Sequence, residues 1–173
     1  MALRNILTTG EPTLYKKSRE VVKFDARLHQ LLDDMTETLA QSGGVGLAAP
    51  QVGILRRAVI VLETNVDNEE DEYFIELINP EIVETEGEQS GAEGCLSVPN
   101  DYGIVTRPEH VRVRAQDRNG DVFEVEGDGL TARCFCHEID HLEGILFTSK
   151  CERMLTEEEK AEMLAEREEE VEE

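Results

Sequence analysis

No stretch of this sequence stays apolar for long. The longest uninterrupted run is Ala58 to Leu62, far short of the roughly 20 residues that a membrane-spanning helix needs. The opening MALRNILTTGEP also lacks the apolar core of a signal peptide. The expectation is a cytoplasmic protein, neither inserted nor exported. Positive charge is scarce too, with 17 Lys and Arg against 39 Asp and Glu and a formal net charge of -22. That balance argues against DNA, RNA or an anionic membrane as partner. Cysteine is limited to Cys95, Cys134, Cys136 and Cys151, which a reducing compartment keeps as buried thiols or metal ligands in preference to disulfides.

What is present suffices for one domain over residues 1–173, since a chain of 173 residues buries about two-thirds of its unfolded surface on folding. Leu28, Leu31, Leu32, Met35 and Leu39 recur at three- and four-residue intervals behind Asp25, which predicts an amphipathic helix over 25–41 ending at Gly43 and Gly44. The stretch GVGLAAPQVG that follows reads as a loop or short edge strand. Its glycines let the backbone come close to a neighbour. Strand-like segments lie at 56–63, 74–87, 110–117 and 121–127, and the Asn119-Gly120 pair between the last two signals a hairpin. GDGLTARCFCHEIDHLEG then predicts a helix capped near Asp128 and stopped at Gly144. A helix embedded among mostly antiparallel strands means an α+β fold. Beyond it, Thr156 and Glu159 form a capping-box pattern for an acidic C-terminal helix or tail at about 156–173. Residues 157–173 carry ten acids against Lys160 and Arg167.

The central helix holds the chemistry. His137 and His141 are four residues apart, so their imidazoles share one helical face and can converge on one ion, while Glu138 is rotated by about 100° toward a water. A catalytic metal needs a third protein ligand and one open position. In H-E-x-x-H-x-x-G-x-x-H proteases that ligand is a third histidine, but here the position holds Phe147. Cys134 lies on the same stripe, yet about 7.5 Å along the axis from the midpoint of the histidines, and reads as pocket lining. Cys136 faces elsewhere, and Cys151 has no special backbone context. Cys95, in EGCLSVP, follows Gly94 and precedes the anchoring Leu96, so a short fixed loop there can aim a thiolate at the helix. The competing reading takes Glu157, Glu158, Glu159 or Glu162 as third ligand, in the manner of a gluzincin-like peptidase.

GVGLAAPQ at 44–51, EGCLS at 93–97 and HEIDH at 137–141 stand in an order and at separations that resemble the three signature motifs of the peptide deformylases. The likeness extends from RNILTTGEPTLYKKS through VTRPEHV to HLEGILF. It implies antiparallel sheets packed around a metal helix and one divalent metal per chain on Cys95, His137 and His141. Iron(II) is the native ion it implies, with zinc or nickel able to substitute. It further implies Glu138 as acid–base catalyst, with Gln51 and the backbone N–H of Leu96 as oxyanion donors. Val45 and Gly46 would pair with an extended peptide, Gly94 would line its path, and Leu130 and Cys134, with His137, would take the methionine side chain. The implied substrates are N-formylmethionyl peptides and nascent chains. Transient ribosome association is also implied, though a strongly acidic C-terminal helix is poorly suited to grip RNA. Cys136 departs from the family's usual glutamine.

Overall fold

The computed structural model describes residues 2–172 of the chain. Helix α1 (Ala26–Ser42) starts at Asp25, whose side chain accepts the Leu28 N–H at 3.2 Å, and ends at Gly43 in the left-handed conformation. The chain then makes the short strand β1 (Gly46–Ala48) and a 3-10 turn over Ala49–Val52, followed by β2 (Ala58–Glu63) and β3 (Tyr73–Glu86). Strands β4 (Gln89–Cys95) and β5 (Val98–Arg107) form a hairpin, and β6 (His110–Gln116) and β7 (Val122–Asp128) form another. Helix α2 (Leu130–Leu142), the two-residue strand β8 (Arg153–Met154) and helix α3 (Glu157–Glu172) complete the order. Two antiparallel sheets result, one ordered β1-β2-β3-β6-β7 and one ordered β4-β5-β8. The fold is α+β, with α2 between the sheets.

The apolar run at 58–62 is explained by β2 being buried on both faces. Successive strand side chains point to opposite sides. Val59 and Val61 join the core that surrounds α2, with Leu77, Val113, Phe135 and Leu142. Ala58 and Ile60 join the core under α1, with Leu32, Met35 and Leu39. A smaller core of Leu14, Val98, Val105, Leu146 and Phe147 lies beneath the small sheet. No helix among the described residues is long and apolar enough to cross a membrane.

Two expectations are corrected. Cys95 does not sit in a short fixed loop; it is the last residue of β4, next to a register shift in the β4–β5 hairpin. That hairpin is disguised by glycine and polar residues, in QSGAEGC and VPNDYG, where alternation is weak. The start of α2 also differs. Asp128 closes β7 and its carboxylate accepts from His110 Nδ1 at 2.7 Å, while Gly129, at φ 58°, takes the capping position.

The N-terminal arm locks the far end of α2. Ser18 N–H donates to the Leu142 carbonyl at 2.8 Å. Gly144 lies so close to the arm that a Cβ there would stand 2.6 Å from the Tyr15 carbonyl. Gly144 and Gly43 share a φ of +75°, but nothing lies within 4 Å of a Cβ at Gly43. Gly43→Ala is therefore expected to cost about 1 kcal/mol, for the left-handed backbone alone. Gly144→Ala should cost about 3 kcal/mol or more, since the arm must also move. Urea unfolding of both variants checks this, and equal losses would refute the role given to the arm.

Candidate metal centre and its cleft

Helix α2 is buried almost all round, although its sequence is polar, so each polar group on it needs a partner. His137 and His141 extend from one face with Nε2 atoms 3.2 Å apart and ring centroids at 5.0 Å. The small sheet brings Cys95 Sγ to 3.3 Å from His141 Nε2. The three ligand atoms lie within 4.8 Å of one another. Tetrahedral coordination with N at about 2.05 Å and S at about 2.3 Å requires N···N near 3.3 Å and N···S near 3.6 Å. The donor set fits a divalent ion. Phe147, where a third histidine would stand in a protease, packs its ring against His137 with centroids 6.1 Å apart. Of the acids of the competing reading, Glu159 is engaged with Arg153 and the Thr156 N–H and Glu157 with Lys160, and none of the four joins the Cys95, His137 and His141 group.

The sequence reading gave no role to Glu93, which organises the centre. Its Oε1 accepts from Arg107 Nε at 3.1 Å and Arg133 Nη1 at 2.9 Å, and its Oε2 from Arg107 Nη2 and His137 Nδ1, both at 2.8 Å. Arg107 also donates to Asp140 Oδ2 at 2.7 Å. A carboxylate only accepts, so His137 carries its proton on Nδ1 and turns Nε2 toward Cys95 and His141. Burial by itself would raise the Glu93 carboxyl, but the bonds and charges of His137 and Arg107 hold it well below the usual range. The signal available in the sequence was its place in EGCLS, immediately before Gly94.

Burial works against a charged His137, yet Glu138, Cys95 and Glu93 outweigh it and raise that imidazole well above its ordinary value. Burial and the charge on His137 push His141 the other way. Ligation needs neutral imidazoles and a thiolate, so affinity for a metal falls as pH is lowered.

A cleft of about 580 Å³ opens beside the ligands. The structure brings Val45, Gly46, Gln51, Gly94, Cys95 and Leu96 to it, together with Leu130, Cys134, His137 and Glu138, while His141 is fully buried behind. Glu138 is 2% exposed, and its Oε1 has no partner among the described residues. Burial pushes its carboxyl up to about 7. Gly46 makes room for it, because a Cβ there would lie 2.6 Å from Glu138 Oε2 and 2.5 Å from Cys134 Sγ. Gln51 is fixed at both ends. Its Oε1 accepts the Ala48 N–H at 2.9 Å, and its Nε2 donates to Ser97 Oγ at 3.1 Å and, more weakly, to Cys95 Sγ at 3.5 Å.

Residues 3–157 match the model of the polypeptide deformylase family. The peptide deformylase of Caldicellulosiruptor bescii is 55% identical over 159 residues, 92% of each chain. Peptide deformylase 1 of Bacillus subtilis is 48% identical over 94% of this chain and 99% of its own. Among solved structures, a peptide deformylase from Legionella pneumophila superposes with a TM-score of 0.80 at 42% identity, covering 96% of this chain and 92% of that one. A Met-Ala-Ser-bound class I type b peptide deformylase from Acinetobacter baumannii gives 0.78 at 36% identity, covering 86% and 98%.

Glu93→Gln is expected to lower metal affinity by about 10- to 100-fold, because the His137 tautomer loses its acceptor. It should also remove about 3 kcal/mol of stability at neutral pH by leaving two buried arginines short of charge. The Glu93 carboxyl is depressed from 4.5 in the folded state, so its stabilisation is full above that pH and is lost as pH falls further. Acid unfolding of the variant should therefore be flatter below about pH 4.5. An unchanged metal titration would remove Glu93 from this role.

Proposed function

The chain belongs to the polypeptide deformylase family, and from that premise we propose that it removes the N-formyl group from the formylmethionine of new polypeptides and releases formate. The observation that carries this reading is the convergence of Cys95, His137 and His141 beside a buried carboxylate, Glu138, in one cleft. The Met-Ala-Ser seated on the Acinetobacter baumannii relative is the kind of free-amine peptide such a reaction leaves.

Cys95, His137 and His141 would hold the divalent ion, which when bound supplies Lewis acidity to the formyl carbonyl and makes water a better nucleophile at neutral pH. Glu138 takes a proton from the attacking water as the C–O bond forms. The Nε2 amide of Gln51 and the backbone N–H of Leu96 donate to the developing oxyanion, each worth a few kcal/mol because they are oriented in advance. Glu138 then passes its proton to the departing nitrogen as the C–N bond breaks, leaving formate and a free methionyl amine. Ser97 and the Ala48 N–H keep the Gln51 amide from flipping. Val45 and Gly46 would pair with the backbone of an extended peptide. Leu130 and Cys134 would contact its methionine side chain.

Iron(II) is our reading of the native ion, supported by one thiolate and two imidazoles, a set that also suits zinc and nickel. The surroundings are the cytoplasm, where nascent chains emerge. Any ribosome association would use a surface other than α3, whose acidic outer face repels RNA.

Protein loaded with Fe(II) or Ni(II) under anaerobic conditions should release formate from an N-formylmethionyl tripeptide, and Glu138→Ala should abolish release while keeping one bound metal. A metal-loaded wild-type protein that releases none would sink the proposal. Glu138 must be ionised to accept a proton, so kcat/KM should fall toward acid pH. The limb should lie above the ordinary 4.5 and no higher than about 7, because a bound cation draws the carboxyl back down. Exposure to air should inactivate the iron form through metal or thiolate oxidation and spare the nickel form. Equal survival of the two would count against iron as the sensitive ion.

A further inference from the structure

Helix α3 is acidic on most of its surface, with Lys160 and Arg167 as its two cations. Seven residues is close to two full turns, so both point to one side. That side faces the rim of the cleft. Lys160 Nζ donates to the Asn100 carbonyl at 3.0 Å and to Asp101 Oδ1 at 3.2 Å. The Arg167 guanidinium carbon lies 5.7 Å from the centroid of the Tyr102 ring, within cation–π range, and both residues line the cleft.

Tyr102 is itself held in place. Its carbonyl accepts the Leu155 N–H at 2.8 Å, and its ring lies over Gly94, where a Cβ would stand 2.5 Å from Tyr102 Cε1. Gly94 adjoins the ligand Cys95. Contact thus runs from the metal centre through Gly94 and Tyr102 to Arg167 at the mouth. No carboxylate is ion-paired with Arg167 among the described residues, whereas Lys160 is committed to Asp101 and Glu157. Arg167 also lies beyond the residues 3–157 that match the family model.

Arg167 lines the same cleft as Cys95, His137 and Glu138, so an extended peptide seated there can meet this guanidinium. The molecule as a whole, at -22, repels an acidic peptide; Arg133, the other arginine of the cleft, is paired with Glu93, and Arg167 is the local exception. We propose that Arg167 is a specificity-determining residue that binds a carboxylate side chain at the third or fourth residue of the formylated substrate, an inference that rests on the deformylase reading. It contributes through binding, away from the formyl group.

The test compares C-terminally amidated formyl-Met-Ala-Glu-Glu, formyl-Met-Ala-Gln-Gln and formyl-Met-Ala-Lys-Lys on metal-loaded full-length protein at low salt. Arg167→Gln should lower the kcat/KM ratio of the Glu peptide to the Gln peptide by about threefold, the scale of one exposed charge pair. The loss should be carried mainly by KM. Arg167→Glu should shift the Glu-to-Lys ratio by about tenfold toward Lys, and Arg167→Lys should retain most of the wild-type ratio. High salt should shrink these differences, since the charges meet in solvent. A disturbed helix would depress all three peptides together. Ratios unmoved in both Arg167→Gln and Arg167→Glu, with the Gln peptide still deformylated, would overturn the role of Arg167 alone. No formate from any peptide with the loaded wild type would overturn the deformylase reading and this inference with it.

Discussion

The carboxylate of Glu93 is the point on which the centre depends. It comes from β4 and accepts four hydrogen bonds, two from Arg107 on β5 and one each from Arg133 and His137 on α2. A single buried ion costs several kcal/mol in desolvation, and a buried pair holds only when its remaining lone pairs are satisfied. Glu93 meets that condition. The same bonds tie the small sheet to α2 and set the face that His137 turns to the metal. The sheet that provides Cys95 and the helix that provides the histidines are thus registered by one group.

Around that satisfied network lie groups left without partners. Glu138 Oε1 and His141 Nδ1 are buried and unpaired among the described residues. Unsatisfied buried polar atoms are costly in a fold selected only for stability. Here one belongs to the carboxylate that we propose accepts a proton and the other to a histidine of the Cys95, His137 and His141 group. The strain is tolerated because α2 is clamped elsewhere, by the Glu93 network at its middle and by the N-terminal arm at Leu142 and Gly144. The absence of a side chain at Gly46 lets β1 approach Glu138 closely, which narrows the cleft and keeps the carboxyl raised.

The negative charge has a geography. α3 places its two cations toward the cleft rim and leaves most of its acids to solvent, so the helix is acidic outside and basic inside. Lys160 anchors it to the Asn100–Asp101 turn, and Arg153 with Glu159 fixes its first turn. These exposed pairs contribute little energy singly. Their effect is orientation, which brings a guanidinium to the rim of the cleft.

Local sequence determined α1, through a clear periodicity and the Asp25 and Gly43 caps, and the β6–β7 hairpin, through alternation around Asn119 and Gly120. It also determined the pairing of His137 with His141, because four residues along a helix return to one face whatever surrounds it. The third ligand was legible only as a preference, strengthened by the resemblance of three short motifs. The β4–β5 hairpin that carries Cys95 was not legible, since Gly91, Gly94 and the polar residues between them mask alternation. Glu93 was invisible as an organiser for a different reason: its partners lie 14, 40 and 44 residues away, and no local pattern encodes such a meeting. Arg167 likewise gains its position only when α3 folds back on Tyr102. Contacts within a turn or a hairpin are set by backbone geometry and nearby side chains, whereas a buried ion network exists only after distant segments have packed and excluded water.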